Sequence, residues 1–360
     1  MEVERNLQGE AIKITMHRWF DGHVHLRHGD ILRTVLPFTE AYCDHAVAMG
    51  NLKRWQENDI AAQYYGQDPG VRTGEEVVEY GQRIIRARRN IFFKPQMTLK
   101  ADDGTTPQEI HEARQLGIMI VKTYPVGVTT NSHAGVSNFR KLGDVFAAME
   151  EEGMVWCHHG EKPGEFCLER EPRYMDTLEW AATKFPRLRM VLEHVSTAIG
   201  VRTVCALPDT VAATVTVQHL LRTLDDVLGG ELDPHAFCKP LLQTPQDREA
   251  IQEVVRHGNQ KFFLGTDSAP HKKITKECGR GKPGSFTAPV APSLLLDFFE
   301  SFGHIERVEP FVSLFSMQFY SISPSGRVVT FVKKPWVVPD EYNGIVPFMA
   351  GKTLQWQIAD

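Results

Sequence analysis

Short apolar segments alternate with helix-like segments along most of this chain, and this alternation restricts its fold more than any other feature. Eight segments have the length and apolar character of buried strands: 20–27, 44–51, 91–99, 117–125, 153–161, 189–197, 211–220 and 261–271. Helical patterns lie between many of them, at 75–89, 106–116, 139–152, 176–185 and 244–258. Thr106 and Thr244, each followed by proline, and Asp176 are the predicted N-caps of three of these helices.

Apolar strands that alternate with helices predict a parallel sheet covered by helices. Eight such units favour a closed (β/α)8 TIM barrel over an open doubly wound sheet. The open sheet also lacks support because no G-x-G-x-x-G follows the first strand. The strand-rich segment 321–360 predicts a short C-terminal extension packed on a barrel of residues 1–320, within a single domain overall.

Composition argues against several classes of protein. Lys and Arg number 40 against 45 Asp and Glu, which gives a net charge of −5, so nucleic acid and anionic membranes are disfavoured partners. The longest apolar runs, such as "GIMIV" and "VAATVTV", fall far short of the ~20 residues that span a bilayer. The amino terminus lacks an apolar signal core, and the 6 scattered cysteines predict reduced packing residues. We therefore expect a cytoplasmic protein.

Polar residues that can bind a ligand recur at the carboxyl ends of the predicted strands, where barrel enzymes carry their chemistry. In "FDGHVHLRHGD", His23, His25 and Arg27 occupy every second position, so a continuous strand would point all three to one face. The full set is His23, His25, Asn51, Lys122, His159, His194, Asp267 and His271. Burying such groups unpaired costs a few kcal/mol each, whereas a shared metal ion would satisfy the histidines and the aspartate together. Imidazole and carboxylate donors without thiolate favour Zn²⁺, with Mn²⁺, Fe²⁺ and Co²⁺ as alternatives.

Two positions leave alternatives open at this point. Lys122 cannot bind a metal while it is protonated, and a salt bridge or a side chain that reaches solvent would also explain it. In "CHHGE", strand alternation lets only one of His158 and His159 face the barrel centre. We predict His159, which directly precedes Gly-Glu, as the inward residue.

Together these motifs resemble the dihydroorotases of the amidohydrolase superfamily, in particular the single-function bacterial type. The matching stretches run in order over nearly the whole chain: "DGHVHLRHGDILRTVLPFT", "AMGNL", "KTYPVGVTTNS", "HGE", "LEHVST", "VQHLL", "LGTDSAPH", "FTAP" and "VPFMAGKTLQW". H-x-H-x-R after the first strand is specific for the branch of the superfamily that acts on cyclic amides, and T-D-S-A-P-H with K-x-Y-P narrows the match further.

The resemblance implies a binuclear centre with two Zn²⁺ per chain. His23, His25 and Asp267 would hold one ion, His159 and His194 would hold the other, and Lys122 would bridge them as N6-carboxylysine. Carboxylation turns an expensive buried cation into an anionic ligand, which two adjacent dications favour. A metal-bridging hydroxide would attack the cyclic amide, and Asp267 would be the catalytic residue that carries the proton.

The resemblance also implies which residues contact the substrate. Arg27, Asn51 and His271 would bind a substrate carboxylate, and backbone groups near Leu220 and Ala288 would contact the amide edges of the ring. Thr129 and Thr130 would belong to a flexible loop that closes over the site.

The implied activity is the reversible cyclisation of N-carbamoyl-L-aspartate to L-dihydroorotate in de novo pyrimidine (UMP) biosynthesis, by a homodimer that acts on a small-molecule substrate. One alternative is another cyclic-amide hydrolase, of the hydantoinase, dihydropyrimidinase or allantoinase kind. A ring without a carboxylate would not need Arg27, Asn51 and His271 together. The other alternative is a catalytically inactive assembly subunit, which is disfavoured because every expected metal ligand is present.

Overall fold

The structure, a computed structural model, describes residues 1–52 and 70–359. Its strands are β1 (Glu2–Arg5), β2 (Ala11–His17), β3 (Trp19–Val24), β4 (Cys43–Ala48), β5 (Lys94–Ala101), β6 (Ile120–Thr123), β7 (Val155–His159), β8 (Arg189–Glu193), β9 (Val211–Val215), β10 (Phe262–Leu264), β11 (Val328–Val337) and β12 (Thr353–Ile358). Its α-helices are α1 (Gly29–Tyr42), α2 (Gly74–Ala87), α3 (Pro107–Gln115), α4 (Gly143–Glu151), α5 (Arg170–Lys184), α6 (Ala198–Ala206), α7 (Val217–Leu221), α8 (Asp225–Leu228), α9 (Pro245–Arg256), α10 (Lys273–Lys276), α11 (Ala291–Ser301) and α12 (Phe315–Tyr320). None of the helices in these two ranges has the length and apolar character needed to cross a membrane.

Strands β3 to β10 form one eight-stranded parallel sheet in which the strands follow each other in chain order. The sheet closes between its first and last strands, where Val24 forms a parallel bridge with Ser268. At the same seam the backbone N–H of Asp267 donates to the carbonyl of His23 at 2.9 Å. The predicted (β/α)8 TIM barrel is therefore confirmed.

The buried Asp21 stabilises this seam by hydrogen bonds to both of the chain segments that meet there. Its fully buried carboxylate accepts hydrogen bonds from the backbone N–H of Thr266 at 2.8 Å and from the Thr266 hydroxyl at 2.6 Å, and from the backbone N–H of His23 at 3.1 Å. Gly265 allows the chain to approach closely, since a Cβ there would lie 2.8 Å from Thr214 and 2.9 Å from the Cβ of His23. The seam thus brings the ends of the first and last barrel strands, with His23 and Asp267, side by side.

An apolar cluster fills the barrel on the side opposite the strand ends that carry histidine. Its members come from many of the barrel strands and from α12: Phe20, Val47, Met49, Ile120, Val155, Cys157, Val191, Ala212, Phe263, Met317 and Tyr320. Because side chains alternate along a strand and stack in layers inside a barrel, this packing leaves the carboxyl ends for polar residues. The cluster is thus the packed apolar layer on which the polar site lies.

Two of the three predicted helix starts are correct, and two predicted strands are shorter than expected. Thr106 and Thr244 cap α3 and α9 with capping boxes, as predicted. Asp176 is not an N-cap, because α5 begins six residues earlier, at Arg170. The predicted strand 211–220 ends at Val215, and its second half is helix α7, which begins where the Thr216 hydroxyl caps the N–H of His219 at 3.1 Å. The predicted strand 261–271 is confined to Phe262–Leu264.

The two ends of the described chain meet in a second, antiparallel sheet of order β1-β2-β11-β12. Strand β2 pairs with β11 from Lys13 to His17, so the amino-terminal residues lie beside the C-terminal extension. The predicted extension covers 321–360 because the segment after 320 is rich in strand-forming residues. The sequence did not predict that residues 2–17 pair with this segment. The division into a barrel and a packed extension remains our prediction.

Candidate active site

Three ligand atoms converge at the barrel seam. His23 and His25 direct their Nε2 atoms to within 3.4 Å of each other, and Asp267 Oδ1 lies 3.3 Å from the first and 3.2 Å from the second. Ligands of a tetrahedral Zn²⁺ at 2.0–2.1 Å from the ion lie about 3.3–3.4 Å apart, so these spacings fit one divalent cation. Burial, with Arg27 nearby, lowers the pKa of His25 to about 3, which keeps its imidazole neutral as metal binding requires.

A second pair of imidazoles lies beside the first. His159 Nδ1 and His194 Nε2 are 3.1 Å apart, and the rings of His194 and His23 are 5.2 Å apart between centroids. Burial lowers the pKa of His159, and it lowers that of His194 well below the usual histidine value. Both rings are therefore neutral donors directed at a common point, and the choice of His159 as the inward histidine of "CHHGE" agrees with this geometry.

Lys122 lies within the same polar centre. Its side chain is fully buried, its Nζ has no hydrogen-bond partner among the described residues, and its nearest carboxylate oxygen, Glu193 Oε1, is 4.0 Å away. Burial lowers the pKa of this amine. The side chain does not reach solvent, and its ion pair with Glu193, at 4.0 Å, leaves Nζ without a hydrogen bond.

Two glutamates that the sequence analysis did not assign orient the histidines. Glu193 Oε2 accepts from His23 Nδ1 at 2.8 Å, and Glu161 Oε2 accepts from His159 Nε2 at 2.5 Å. Each bond fixes the tautomer that leaves the other ring nitrogen free for a ligand. Burial opposes the ionisation of Glu193, but Lys122 and His23 outweigh it and bring the pKa of this carboxyl down to about 2. Both glutamates stand close to a predicted ligand, in "HGE" and "LEHVST".

Three residues of the site adopt left-handed backbone conformations that are unusual outside glycine. Arg27, His194 and Asp267 have φ values of 61°, 46° and 42°. Such conformations cost on the order of 1–3 kcal/mol each and persist where surrounding contacts fix them. Here Thr214 Oγ1 accepts from the backbone N–H of His194 at 2.6 Å, and the His23 carbonyl accepts from that of Asp267 at 2.9 Å. Regular strand alternation therefore stops before Arg27, which reaches the site through a turn and not along a straight strand.

A group suited to an anion lies next to the ligand cluster. Arg27 donates from Nε to the Pro270 carbonyl at 3.2 Å, and its Nη2 lies 3.2 Å from His271 Nε2. Burial and the charge of Arg27 lower the pKa of His271 well below its usual value, so the imidazole accepts a hydrogen bond from the guanidinium. Arg27 and Asn51 line one pocket with His23, His25, His159, His194 and Asp267.

The segment with Thr129 and Thr130 forms one wall of this pocket. Asn51 Nδ2 donates to the Thr130 carbonyl at 3.3 Å, and Asn131 Nδ2 donates to the Asn51 carbonyl at 3.0 Å. Thr129 and Ser132 exchange two further hydrogen bonds, of 3.0 and 2.7 Å, within the loop. The loop thus lines the pocket in this structure, and its closure over a substrate remains a prediction.

Leu220 and Ala288, two predicted substrate contacts, are absent from the residues that line this pocket, and their roles stay predictions. Leu220 is fully buried in α7, where its N–H bonds to the Thr216 carbonyl and its own carbonyl accepts from Gln252 Nε2 at 2.7 Å. The N–H of Ala288 already donates to Ser268 Oγ at 3.1 Å, and Ala288 packs in a small apolar cluster. The lining residues that the sequence analysis did not assign are Tyr124, Lys239, Ala269, Pro283 and Gly284. They come from segments with no strand-end pattern, apart from Tyr124 in K-x-Y-P and Ala269 in T-D-S-A-P-H.

Comparison with known proteins identifies relatives that share nearly the whole length of this chain. No protein-family model matches the chain. Curated relatives include the dihydroorotase of Acaryochloris marina, 37% identical over 97% of this chain and 99% of its own length, and that of Halorhodospira halophila, 39% identical over 96% and 98%.

Solved structures extend the likeness to three dimensions. The dihydroorotase of Campylobacter jejuni superposes with a TM-score of 0.86 at 31% identity, over 100% of this chain and 99% of that chain. The dihydroorotase of Saccharomyces cerevisiae, solved in complex with 5-fluoroorotic acid, also gives 0.86 at 31% identity, over 97% and 98%. An L-hydantoinase from Arthrobacter aurescens shares the fold, with a TM-score of 0.77 at 14% identity, over 96% of this chain and 83% of that chain. By sequence identity over nearly its whole length, the chain belongs to the dihydroorotase family.

Proposed function

We propose that the protein catalyses the reversible cyclisation of N-carbamoyl-L-aspartate to L-dihydroorotate, the reaction for which its family is named, as a step of de novo pyrimidine biosynthesis. The observation that carries the proposal is the neighbourhood of two different groups in one pocket. A cluster of buried imidazoles and one carboxylate adjoins a guanidinium paired with a neutral histidine. In a ring amide that also bears a carboxylate, the amide would bind at the imidazole cluster and the carboxylate at the guanidinium.

The residues fit two zinc ions bridged by a carboxylated Lys122. His23, His25 and Asp267 would hold one ion, and His159 and His194 the other. When bound, such a pair lowers the pKa of a water molecule and polarises the amide carbonyl. The buried Lys122 amine, with no hydrogen-bond partner among the described residues, supports its modification, since carboxylation would supply it with an anionic, metal-binding end.

Asp267 would move the proton of the reaction. Burial raises the pKa of its carboxyl, but His23 and the hydrogen bond from His25 lower it more, to about 2, so the group is ionised near neutrality. As a base it would take the proton of the attacking water and deliver it to the ring nitrogen as the C–N bond breaks. Ring closure would use the same residue in reverse order.

The substrate carboxylate would bind at Arg27. Guanidinium groups hold carboxylates by paired hydrogen bonds, and Asn51 and His271 would add contacts from either side. A hydantoinase-type hydrolase, whose ring bears no carboxylate, has no use for this cation next to the ligand cluster. The homodimeric state rests on the family resemblance and the cytoplasmic location on the composition and the amino-terminal sequence, and both stay predictions.

The activity is tested directly with purified, zinc-loaded protein. We expect it to convert L-dihydroorotate to N-carbamoyl-L-aspartate, followed at the ultraviolet absorbance of the ring, with the reverse reaction favoured at lower pH because ring closure consumes a proton. Hydantoin and 5,6-dihydrouracil are the matched substrates without a carboxylate, and we expect little turnover of either. Turnover of hydantoin with none of dihydroorotate would reject the proposal.

The metal centre is tested by elemental analysis of protein loaded with Zn²⁺ and bicarbonate and then desalted. We expect about two ions per chain in the native sequence and about one in Lys122→Met, which cannot form the bridge. Lys261→Met is the matched control, because Lys261 is half-buried outside the site, where its ammonium donates to the carbonyls of Val204 and Leu207. One ion per chain in the native protein, or two in Lys122→Met, would remove the bridged centre.

A further inference from the structure

Tyr124 is the one residue of the K-T-Y-P stretch (122–125) that both lines the pocket and has no role in the proposed chemistry. Its side chain is 2% exposed, and its hydroxyl has no hydrogen-bond partner among the described residues. A buried hydroxyl that gives up water without a replacement partner is unfavourable. Because Tyr124 lines the pocket, a bound molecule is a partner that the structure leaves room for.

The surroundings of Tyr124 locate it between the two halves of the site. The Lys122 Nζ lies 5.1 Å from the centroid of its ring, and the ring of His159 lies 6.4 Å away, on the side of the ligand cluster. The phenol also interacts electrostatically with Arg27 and with Asp267. Tyr124 therefore lies within range of both ends of a substrate that extends from the cluster to the guanidinium.

The hydrogen-bond capacity of Arg27 indicates which end of the substrate the hydroxyl contacts. Arg27 already uses its Nε on the Pro270 carbonyl and one Nη2 proton on His271. A carboxylate offers about four acceptor positions, more than the remaining guanidinium protons can fill from one side. A neutral phenol, with an ordinary pKa of about 10, is a donor throughout the working pH range.

We propose that Tyr124 is a further substrate-binding residue, whose hydroxyl donates a hydrogen bond to the substrate carboxylate beside Arg27. The proposal rests on the proposed function, since it requires a substrate that bears a carboxylate. It makes Tyr124 part of the discrimination between carboxylate-bearing and neutral rings. No covalent step involves the phenol.

The chain provides a matched control in Tyr80. This tyrosine is also fully buried, its hydroxyl also lacks a partner among the described residues, and it also interacts electrostatically with Arg27. Tyr80 does not line the pocket, because its ring packs edge-on against His28 with 5.1 Å between centroids. The two tyrosines thus differ in access to a bound molecule and share the other features.

The test compares Tyr124→Phe and Tyr80→Phe in the zinc-loaded enzyme, with dihydroorotate as substrate. We expect Tyr124→Phe to raise KM about 10- to 100-fold, the usual loss for a hydrogen bond to a charged group, while kcat changes less than about threefold. Tyr80→Phe should leave both constants unchanged. Competitive inhibition provides a second measurement: orotate should inhibit Tyr124→Phe less well than the native enzyme, and neutral 5,6-dihydrouracil should inhibit both equally.

Each other outcome contradicts the assignment. An unchanged KM in Tyr124→Phe would mean that the hydroxyl contacts no substrate, and a lower kcat at unchanged KM would move the contact to the reacting carbonyl. Equal losses in the two variants would indicate an indirect effect through Arg27. Zinc content and melting temperature should match the native protein in both variants, because phenylalanine keeps the packed ring. If the native enzyme itself fails to act on dihydroorotate, the proposed function fails, whereas an active native enzyme with an unaffected Tyr124→Phe rejects only the role of Tyr124.

Discussion

Replacing Asp267 with asparagine is expected to lower kcat for dihydroorotate by about 10³-fold or more. General acid–base catalysis contributes typically 10²–10⁴-fold, and the amide of asparagine can neither accept the proton nor return it. The substitution preserves shape, so the amide oxygen can still lie where Asp267 Oδ1 is 3.2 Å from His25 Nε2. Steady-state kinetics in both directions, with zinc content measured on the same samples, separates the loss of proton transfer from a loss of metal.

Asp30→Asn is the control for this prediction. Asp30 lies in the first turn of α1, a few residues after the site, is exposed, and pairs with Arg33 on the helix surface. Exposed ion pairs contribute ~0–1 kcal/mol, so its removal should change neither kcat nor zinc content measurably. More than a tenth of the native kcat in Asp267→Asn would mean that another group carries the proton, and a loss of only one zinc with normal kcat would assign Asp267 to metal binding alone.

The fold follows from the sequence because each barrel strand is a compact apolar run with a polar end. The strand at "GMVWCHHGE" (153–161) shows this, since its inner half is buried as Val155–His159 and its last histidine enters the site. Periodicity fails where capping overrides it. "VAATVTVQHL" is apolar throughout, and only the Thr216 hydroxyl, by capping the N–H of His219, decides that its second half turns into a helix. The pairing of residues 2–17 with the last strands is non-local, so no local pattern announces it.

The site was predictable where its residues end strands and was not where they enter from loops. His23, His25, His159, His194 and Asp267 are brought together by the parallel sheet, which places the carboxyl ends of its strands at one rim. Lys239, Pro283 and Gly284 reach the same pocket through segments whose course depends on tertiary contacts, such as the hydrogen bond from the Gly284 N–H to the Phe237 carbonyl at 2.9 Å. Leu220 and Ala288 were assigned from the resemblance alone, and their contacts with the substrate stay predictions.

Arg27→Lys is expected to raise KM for dihydroorotate by roughly 30-fold or more and to change kcat much less. The loss is large because truncating one partner of a buried, hydrogen-bonded charge pair costs about 2–5 kcal/mol, part of it from the partner left without its contacts. Lysine keeps the charge, but a single ammonium cannot donate to Pro270 and His271 and still hold both oxygens of a carboxylate in a planar fork. The left-handed backbone at Arg27 fixes where the side chain starts. Lysine is shorter than arginine, so a change of rotamer alone would not bring its ammonium to the position of the guanidinium.

Measuring KM and kcat for Arg27→Lys alongside Arg33→Lys isolates this effect. Arg33 lies on the exposed face of α1 and pairs with Asp30, so its substitution should leave both constants unchanged. The carboxylate role also predicts that the small activity of the native enzyme toward 5,6-dihydrouracil is retained in Arg27→Lys, since that ring has nothing for the guanidinium to bind. An unchanged KM for dihydroorotate, or an equal loss on both rings, would show that Arg27 supports the structure of the pocket and not the recognition of the substrate. The ratio of the two losses therefore measures how much of the specificity of this enzyme resides in one side chain.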